Sequence, residues 1–253
     1  PRSVGEAIQL LGTLGDEAKL LAGGHSLLPM MKLRFAQPSA LIDINRIPEL
    51  RGISEQGGVI RIGAMTTERE LIVSALLQKH LPLLPEAAQL IADPQVRNRG
   101  TIGGDIAHGD PGNDHPAIMM ALDATFVLQG PSGERQVKAV DFFHGTYMTA
   151  LAENEILTAI LIMPPAAGTG YAYQKLKRKT GDWATAGAAV LLRISAGVVT
   201  QAAIGLTNVA PTALRARAAE AALVGKPVTD ATLDAVGKLV RAQCAPAEDL
   251  RGD

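Results

Sequence analysis

The stretch Lys19-Leu20-Leu21-Ala22-Gly23-Gly24-His25-Ser26 decides how this chain is read. It opens with a short apolar run and stops on a glycine pair, as a buried strand does where the backbone must turn. Adjacent glycines allow a sharp turn and leave their amides uncovered by side chains, so the loop can hold a phosphate or diphosphate. Ser26 adds a hydroxyl donor. An isolated Gly-Gly is more often a plain tight turn, and the dinucleotide fingerprint G-x-G-x-x-G is absent. Alone, the stretch specifies a phosphate cradle and no particular ligand.

The same recipe recurs at Arg99-Gly100-Thr101-Ile102-Gly103-Gly104-Asp105. It sits inside Asp93 to Pro116, a segment rich in Gly, Asp, Asn and Pro with no apolar period. A loop of that length inside a compact domain is uncommon unless it is functional or disordered, and Ile102, Ile106 and Ala107 give this one apolar anchors. A diphosphate needs two clusters of donors. Two glycine-pair loops on separate strand ends would supply them.

Working outward, Val4, Ala7, Ile8 and Leu11 recur at helical spacing, so Val4 to Leu14 is expected to be a helix. Lys19 to Ala22 and Ala40 to Ile44 are strand candidates. Past the turn signal Gly57-Gly58, Val59 to Ile62 reads as a strand. Thr66-Thr67 ahead of Glu70 reads as a cap for a helix running through Leu77. Leu83 to Ala92 and Ala117 to Leu122 are expected to be helical. Thr125 to Leu128 and Gln136 to Val140 flank a turn at Pro131-Ser132-Gly133-Glu134 and form a hairpin, and Ile156 to Met163 is a further strand. Pro164-Pro165 through Gly170 is the best boundary. Beyond it Ala186 to Ile194 and Val198 to Thr207 form a second hairpin, followed by helices at Ala213 to Val224 and Asp230 to Ala242. The expected class is α+β. Its divisions are residues 1–56, 57–165 and 166–253, the last an antiparallel sheet with helices on one side.

Composition removes several functions. The 24 basic and 25 acidic residues nearly cancel, which argues against a nucleic-acid footprint. No apolar run reaches the roughly 18–20 residues of a membrane span. A single cysteine, Cys244, gives no internal disulfide and no cysteine-ligated iron–sulfur cluster within these 253 residues, and it is compatible with a reducing, cytoplasmic setting. None of the five histidines forms an H-E-x-x-H pair; His108, Asp110, Asp114 and His115 read as part of a polar loop rather than a metal site. No nucleophile–base pair and no paired carboxylates stand out, so no catalytic residue is expected.

Three motifs together carry a resemblance: Ala22-Gly23-Gly24-His25-Ser26 with Leu27-Leu28-Pro29, Thr101-Ile102-Gly103-Gly104-Asp105, and Gln174-Lys175-Leu176-Lys177-Arg178-Lys179-Thr180-Gly181-Asp182-Trp183-Ala184. With the ending Asp249-Leu250-Arg251-Gly252-Asp253, they resemble the FAD-binding medium subunits of the molybdenum hydroxylases, the xanthine dehydrogenase family, over nearly the whole chain. Within it the likeness leans to the aerobic carbon monoxide dehydrogenase branch.

That resemblance implies an FAD-binding fold of the vanillyl-alcohol-oxidase type and non-covalent FAD. It places Ala22 to Ser26, flanked by Leu21 and Leu27, on one side of the FAD diphosphate and Thr101 to Asp105 on the other. It implies a cofactor contact for Asp114 and a flavin-side position for Lys177. It implies a tyrosine against the ring where this chain has Trp183, a departure that keeps a stacking aromatic. Beside these roles stand plainer ones: a solvated basic face or a subunit contact for Lys175 to Lys179, and core packing for Trp183. The implied partners are a small iron–sulfur subunit and a large molybdenum-cofactor subunit, paired as a dimer of heterotrimers. An external acceptor such as a quinone would bring peripheral contact with the inner face of a membrane. The alternatives are a free-standing flavin oxidase of the vanillyl-alcohol-oxidase type, a medium subunit serving purines, N-heterocycles or aldehydes, and a non-redox sensor on the same fold.

Overall fold

The structure, a computed structural model, describes residues 1–248; the terminal motif Asp249 to Asp253 lies outside the described residues. The first region runs α1 (Val4–Leu14), β1 (Ala18–Leu21), α2 (Leu27–Lys32) and β2 (Ala40–Asp43). Helix α1 is capped by Ser3, whose side chain accepts from the Glu6 amide, and it buries Val4, Ala7, Ile8 and Leu11, the residues its period singled out. Strands β1 and β2 pair in parallel, Leu21 opposite Asp43. Their core cluster also takes in Met65 and Ile156 from the next region.

That second region holds β3 (Ile53–Gln56), β4 (Val59–Gly63), α3 (Glu68–Val73), α4 (Ala75–His80), α5 (Leu83–Gln89), α6 (Pro94–Arg97), α7 (Ile102–His108), α8 (Asp114–Ala121), β5 (Thr125–Gly130), β6 (Gly133–Lys138), β7 (Phe143–Gly145), β8 (Met148–Thr149) and β9 (Ile156–Ile162). Five strands form an antiparallel sheet in the order β3-β4-β9-β5-β6. The helix expected from Thr67 through Leu77 is in fact two. The Thr67–Glu70 capping box starts α3, and Ser74 leaves the helical conformation to cap α4 by accepting from the Leu77 amide at 3.3 Å.

The loop expected from Asp93 to Pro116 is also corrected, because α6 and α7 lie within it and α8 begins in it. Each is too short to show a period. Helices α6 and α7 are instead punctuated by local signals, Asp93 capping α6, Thr101 capping α7 and Gly109 ending α7 in the left-handed region.

The third region holds β10 (Thr169–Leu176), β11 (Ala186–Ser195), β12 (Val198–Thr207), β13 (Leu214–Arg215), α9 (Arg217–Leu223) and α10 (Asp230–Gln243). Its four strands pair in chain order, antiparallel throughout. The class is α+β, as expected. The regions share interior: Tyr173, Ala189 and Leu191 join the main core with Phe126 and Ile160. Helix α8 is buried along its whole length and packs on the four-stranded sheet, and a Cβ at Gly205 would collide with the Ala117 carbonyl, so α8 and β12 meet backbone to backbone.

Candidate cofactor site

A cleft of about 610 Å³ opens where β1, the first turn of α7, the start of α8 and β10 converge, within the size range of ligand pockets. Its walls include Ala22 to Leu27 from the first loop, Thr101, Gly103, Gly104 and Asp105 from the second motif, and Asp114, Lys175 and Trp183.

The two glycine pairs do different work. After β1, Asn45 holds the first loop in place, its Nδ2 donating to the Ala22 carbonyl at 2.9 Å. A Cβ on Gly23 would fall on the Arg99 carbonyl, so glycine there lets the first loop abut the segment leading into the second. Gly24 has φ +79° and a would-be Cβ 2.9 Å from Leu28 Cδ1, so a side chain there is excluded by both conformation and space. Among the described residues, no protein acceptor meets the amides of Gly23, Gly24, His25 and Ser26. His25 turns its Nδ1 back onto the Gly23 carbonyl at 2.9 Å. This is an amide nest with capacity to spare.

The second pair is not a strand-end loop. Gly103 and Gly104 sit in the first turn of α7, where Thr101 Oγ1 accepts from the Gly104 amide and the Ala64 and Thr66 carbonyls accept from Gly103 and Ile102. Those amides are spent. Gly103 is required because a Cβ would overlap Ala64, and a Cβ on Gly104 would crowd the capping hydroxyl of Thr101. The second motif therefore shapes the cleft by close approach and presents the Thr101–Asp105 edge to it.

Three expected residues do not line the cleft. Ile102 is fully buried in the main core, Leu21 backs the Gly24 turn from behind, and Lys177 lies past the end of β10. The strand alternation sends Tyr173 and Lys175 inward instead. The Lys175 side chain is 2% exposed and donates to Asp114 Oδ2 at 2.7 Å, while the Tyr173 hydroxyl donates to Asp114 Oδ1. The solvated-face reading thus fails for Lys175. Core packing fails for Trp183, which is 54% exposed at the cleft wall.

Beneath this layer lie groups the sequence did not single out. Glu68, on α3, is buried at the cleft and bonded to His115 Nε2 at 2.8 Å. Burial alone would lower the His115 pKa, but the charge and hydrogen bond of Glu68 outweigh it and push it up to about 9. Burial raises the Asp105 carboxyl to about 8 against the pull of His115. Asn113 donates to the Asp105 carbonyl at 2.9 Å. Glu68 and Asn113 could not be found from spacing, since each belongs to the site only through tertiary contact. The polar loop imagined around His108 and His115 is divided: His108 stacks on Tyr147 with ring centroids 4.9 Å apart, and His115 faces Glu68. The described residues hold no metal-binding cluster.

Residues 1–165 match the family described as the FAD binding domain in molybdopterin dehydrogenase. The chain belongs to the FAD-binding medium subunits of the molybdenum hydroxylases. Residues 171–253 of this medium subunit match the CO dehydrogenase flavoprotein C-terminal domain. It is 65% identical to the carbon monoxide dehydrogenase medium chain of Hydrogenophaga pseudoflava, covering 100% of this chain and 88% of that one. The corresponding protein of Afipia carboxidovorans is 52% identical with the same coverage. A solved structure of the Hydrogenophaga pseudoflava enzyme lacking the Mo-pyranopterin moiety superposes with a TM-score of 0.99 at 68% identity, covering 100% of this chain and 88% of its counterpart. FAD is accordingly the cofactor of this flavoprotein subunit, an oxidoreductase component, and the nest and cleft fit it.

Proposed function

We propose that this subunit is the flavin chain of an aerobic carbon monoxide dehydrogenase. The observation that carries this reading is its likeness, along the whole chain, to medium chains named for that enzyme. Electrons would come from iron–sulfur clusters on a small partner subunit, since Cys244 alone cannot ligate one. Carbon monoxide would be oxidised on a large molybdenum-cofactor subunit, in a dimer of heterotrimers. The acceptor would be external, such as a quinone, reached from the cytoplasmic side of a membrane. No described helix is long and apolar enough to cross one.

Bound FAD supplies the redox chemistry. The chain supplies position and electrostatics. The free amides of Gly23 to Ser26 hold the diphosphate with the Ser26 hydroxyl, while Thr101 to Asp105 close the opposite wall. Leu21 and Ile102 support these two segments from behind. Asp114, fixed by Tyr173 and Lys175, forms the polar floor, and Trp183 offers an exposed ring to stack on the flavin. Of the two lysines that could serve as the cation near the flavin, Lys177 and Lys175, it is Lys175 that faces inward. His25, tied to its own loop, contacts the cofactor without a covalent bond. Residues 1–56, 57–165 and 166–253 are taken as the structural divisions.

The test is co-expression with both partner chains. The complex should be yellow, release its FAD into the supernatant on acid precipitation, and bleach under carbon monoxide. Flavin retained in the pellet would overturn non-covalent binding. Bleaching by a purine or N-heterocycle and not by carbon monoxide would overturn the substrate while leaving the flavin role intact.

A further inference from the structure

Three carboxylates converge on the floor of the cleft, Glu68 from α3, Asp105 from α7 and Asp114 from α8, and His115 and Lys175 are the cations bonded to this group. Both cations are committed. His115 is bonded to Glu68, and Lys175 to Asp114, whose other oxygen takes the Tyr173 hydroxyl. Asp105 is the one left over. Its Oδ1 is sealed from solvent and has no partner, and Asp110 adds a further negative charge from the loop beyond α7. An ionised carboxylate without a partner in such a place is costly, whereas a neutral carboxyl needs only one acceptor. The cradle beside it is built for an anion, and Asp105 lines the same cleft as the nest residues Ala22 to Ser26.

We propose that Asp105 is protonated at neutral pH and donates its carboxyl hydrogen to an acceptor oxygen of the bound dinucleotide, so that it grips the cofactor as a neutral donor rather than as an anion. This rests on the flavin reading above. It reconciles an aspartate with a diphosphate site, where a charged one would repel the ligand. The raised carboxyl pKa, caused chiefly by burial, agrees with it.

The test uses the assembled complex stripped of flavin and titrated with FAD by fluorescence quenching. Between about pH 8 and 9 the wild-type Kd should rise about fivefold, as release of a single proton with a pKa of about 8 in the flavin-free site requires. Asp105→Asn, which keeps a donor and cannot ionise, should hold FAD at pH 7 about as tightly as wild type and lose the Asp105 share of that rise. The titration of His115 is common to both forms and cancels in the comparison. Infrared spectra of the flavin-free wild-type complex should show a protonated-carboxyl stretch at pH 7 that fades by pH 10, independent of any variant. A wild-type Kd flat over this range, an Asp105→Asn complex binding more than tenfold weaker at pH 7, or absence of the infrared band overturns the proposal. A wild-type complex that takes up no FAD at pH 7 overturns the flavin reading itself, and this proposal with it.

Discussion

Gly23 and the carbonyl of Arg99 meet with no room for a side chain between them. The two glycine motifs are thereby joined along a backbone seam, and the nest on one side depends on the placement of the other. Gly23→Ala should force this seam apart at a cost of about 1–3 kcal/mol, the usual range for overpacking. FAD content per chain, measured after acid release, should fall sharply. A Gly23→Ala complex with full flavin would show that the seam is dispensable.

Lys175 and Lys177 should behave oppositely although two residues apart. Removing the Lys175 cation as Lys175→Met leaves Asp114 buried without its ion partner, worth about 3–5 kcal/mol. Lys177→Met lies past the strand and should change stability by no more than about 0.5 kcal/mol. Urea midpoints of the two variants decide this, and equal midpoints would refute the inward assignment of Lys175.

Alkaline pH should loosen the fold through His115. Its folded pKa of about 9 lies above the ordinary 6.5, so between these values the folded state keeps a proton that the unfolded chain has released. Its contribution is full below pH 6.5 and is lost as pH rises through 9. Asp105 acts with the same sign from 3.8 to about 8. The thermal midpoint of the flavin-free complex should therefore decline from pH 6.5 to 9, and His115→Gln should flatten that decline. A midpoint that climbs over this window would contradict the sign.

Trp183→Ala should separate binding from folding. With more than half of the residue exposed, its loss should shift stability by no more than about 0.5 kcal/mol. Flavin fluorescence should rise as the stacking ring disappears, and Trp183→Tyr should restore quenching. An unfolded Trp183→Ala variant would return the residue to the core.

The sequence made the long, periodic pieces plain. Helix α1 matches the expected Val4 to Leu14, and the β11–β12 hairpin turns where Ser195-Ala196-Gly197 marks it. Pattern failed where elements were short or half-buried. Strand β10 shows no readable alternation, because its outward positions include Gly170, Ala172 and Leu176 while the inward ones are Tyr173 and Lys175, the latter opening the basic run. The glycine pairs were visible as pairs, but not that Gly104 spends its amide on Thr101 while Gly24 leaves its own open. The neighbouring amides of Ile102 and Gly103 are taken by Thr66 and Ala64, far away in sequence, and no local spacing reports that. Glu68 and His115, which are 47 positions apart, meet only after α3 and α8 are packed.

The floor of the cleft is signed by both halves of the molecule: Asp114 comes from the part preceding the Pro164-Pro165 joint, Tyr173 and Lys175 from the part following it. The two halves are thus not interchangeable parts. A chimaera that splices the carboxyl-terminal half of a distant relative onto residues 1–165 inherits a working floor only if an inward hydroxyl and an inward ammonium come with it. Recombination at this joint is filtered by two side chains.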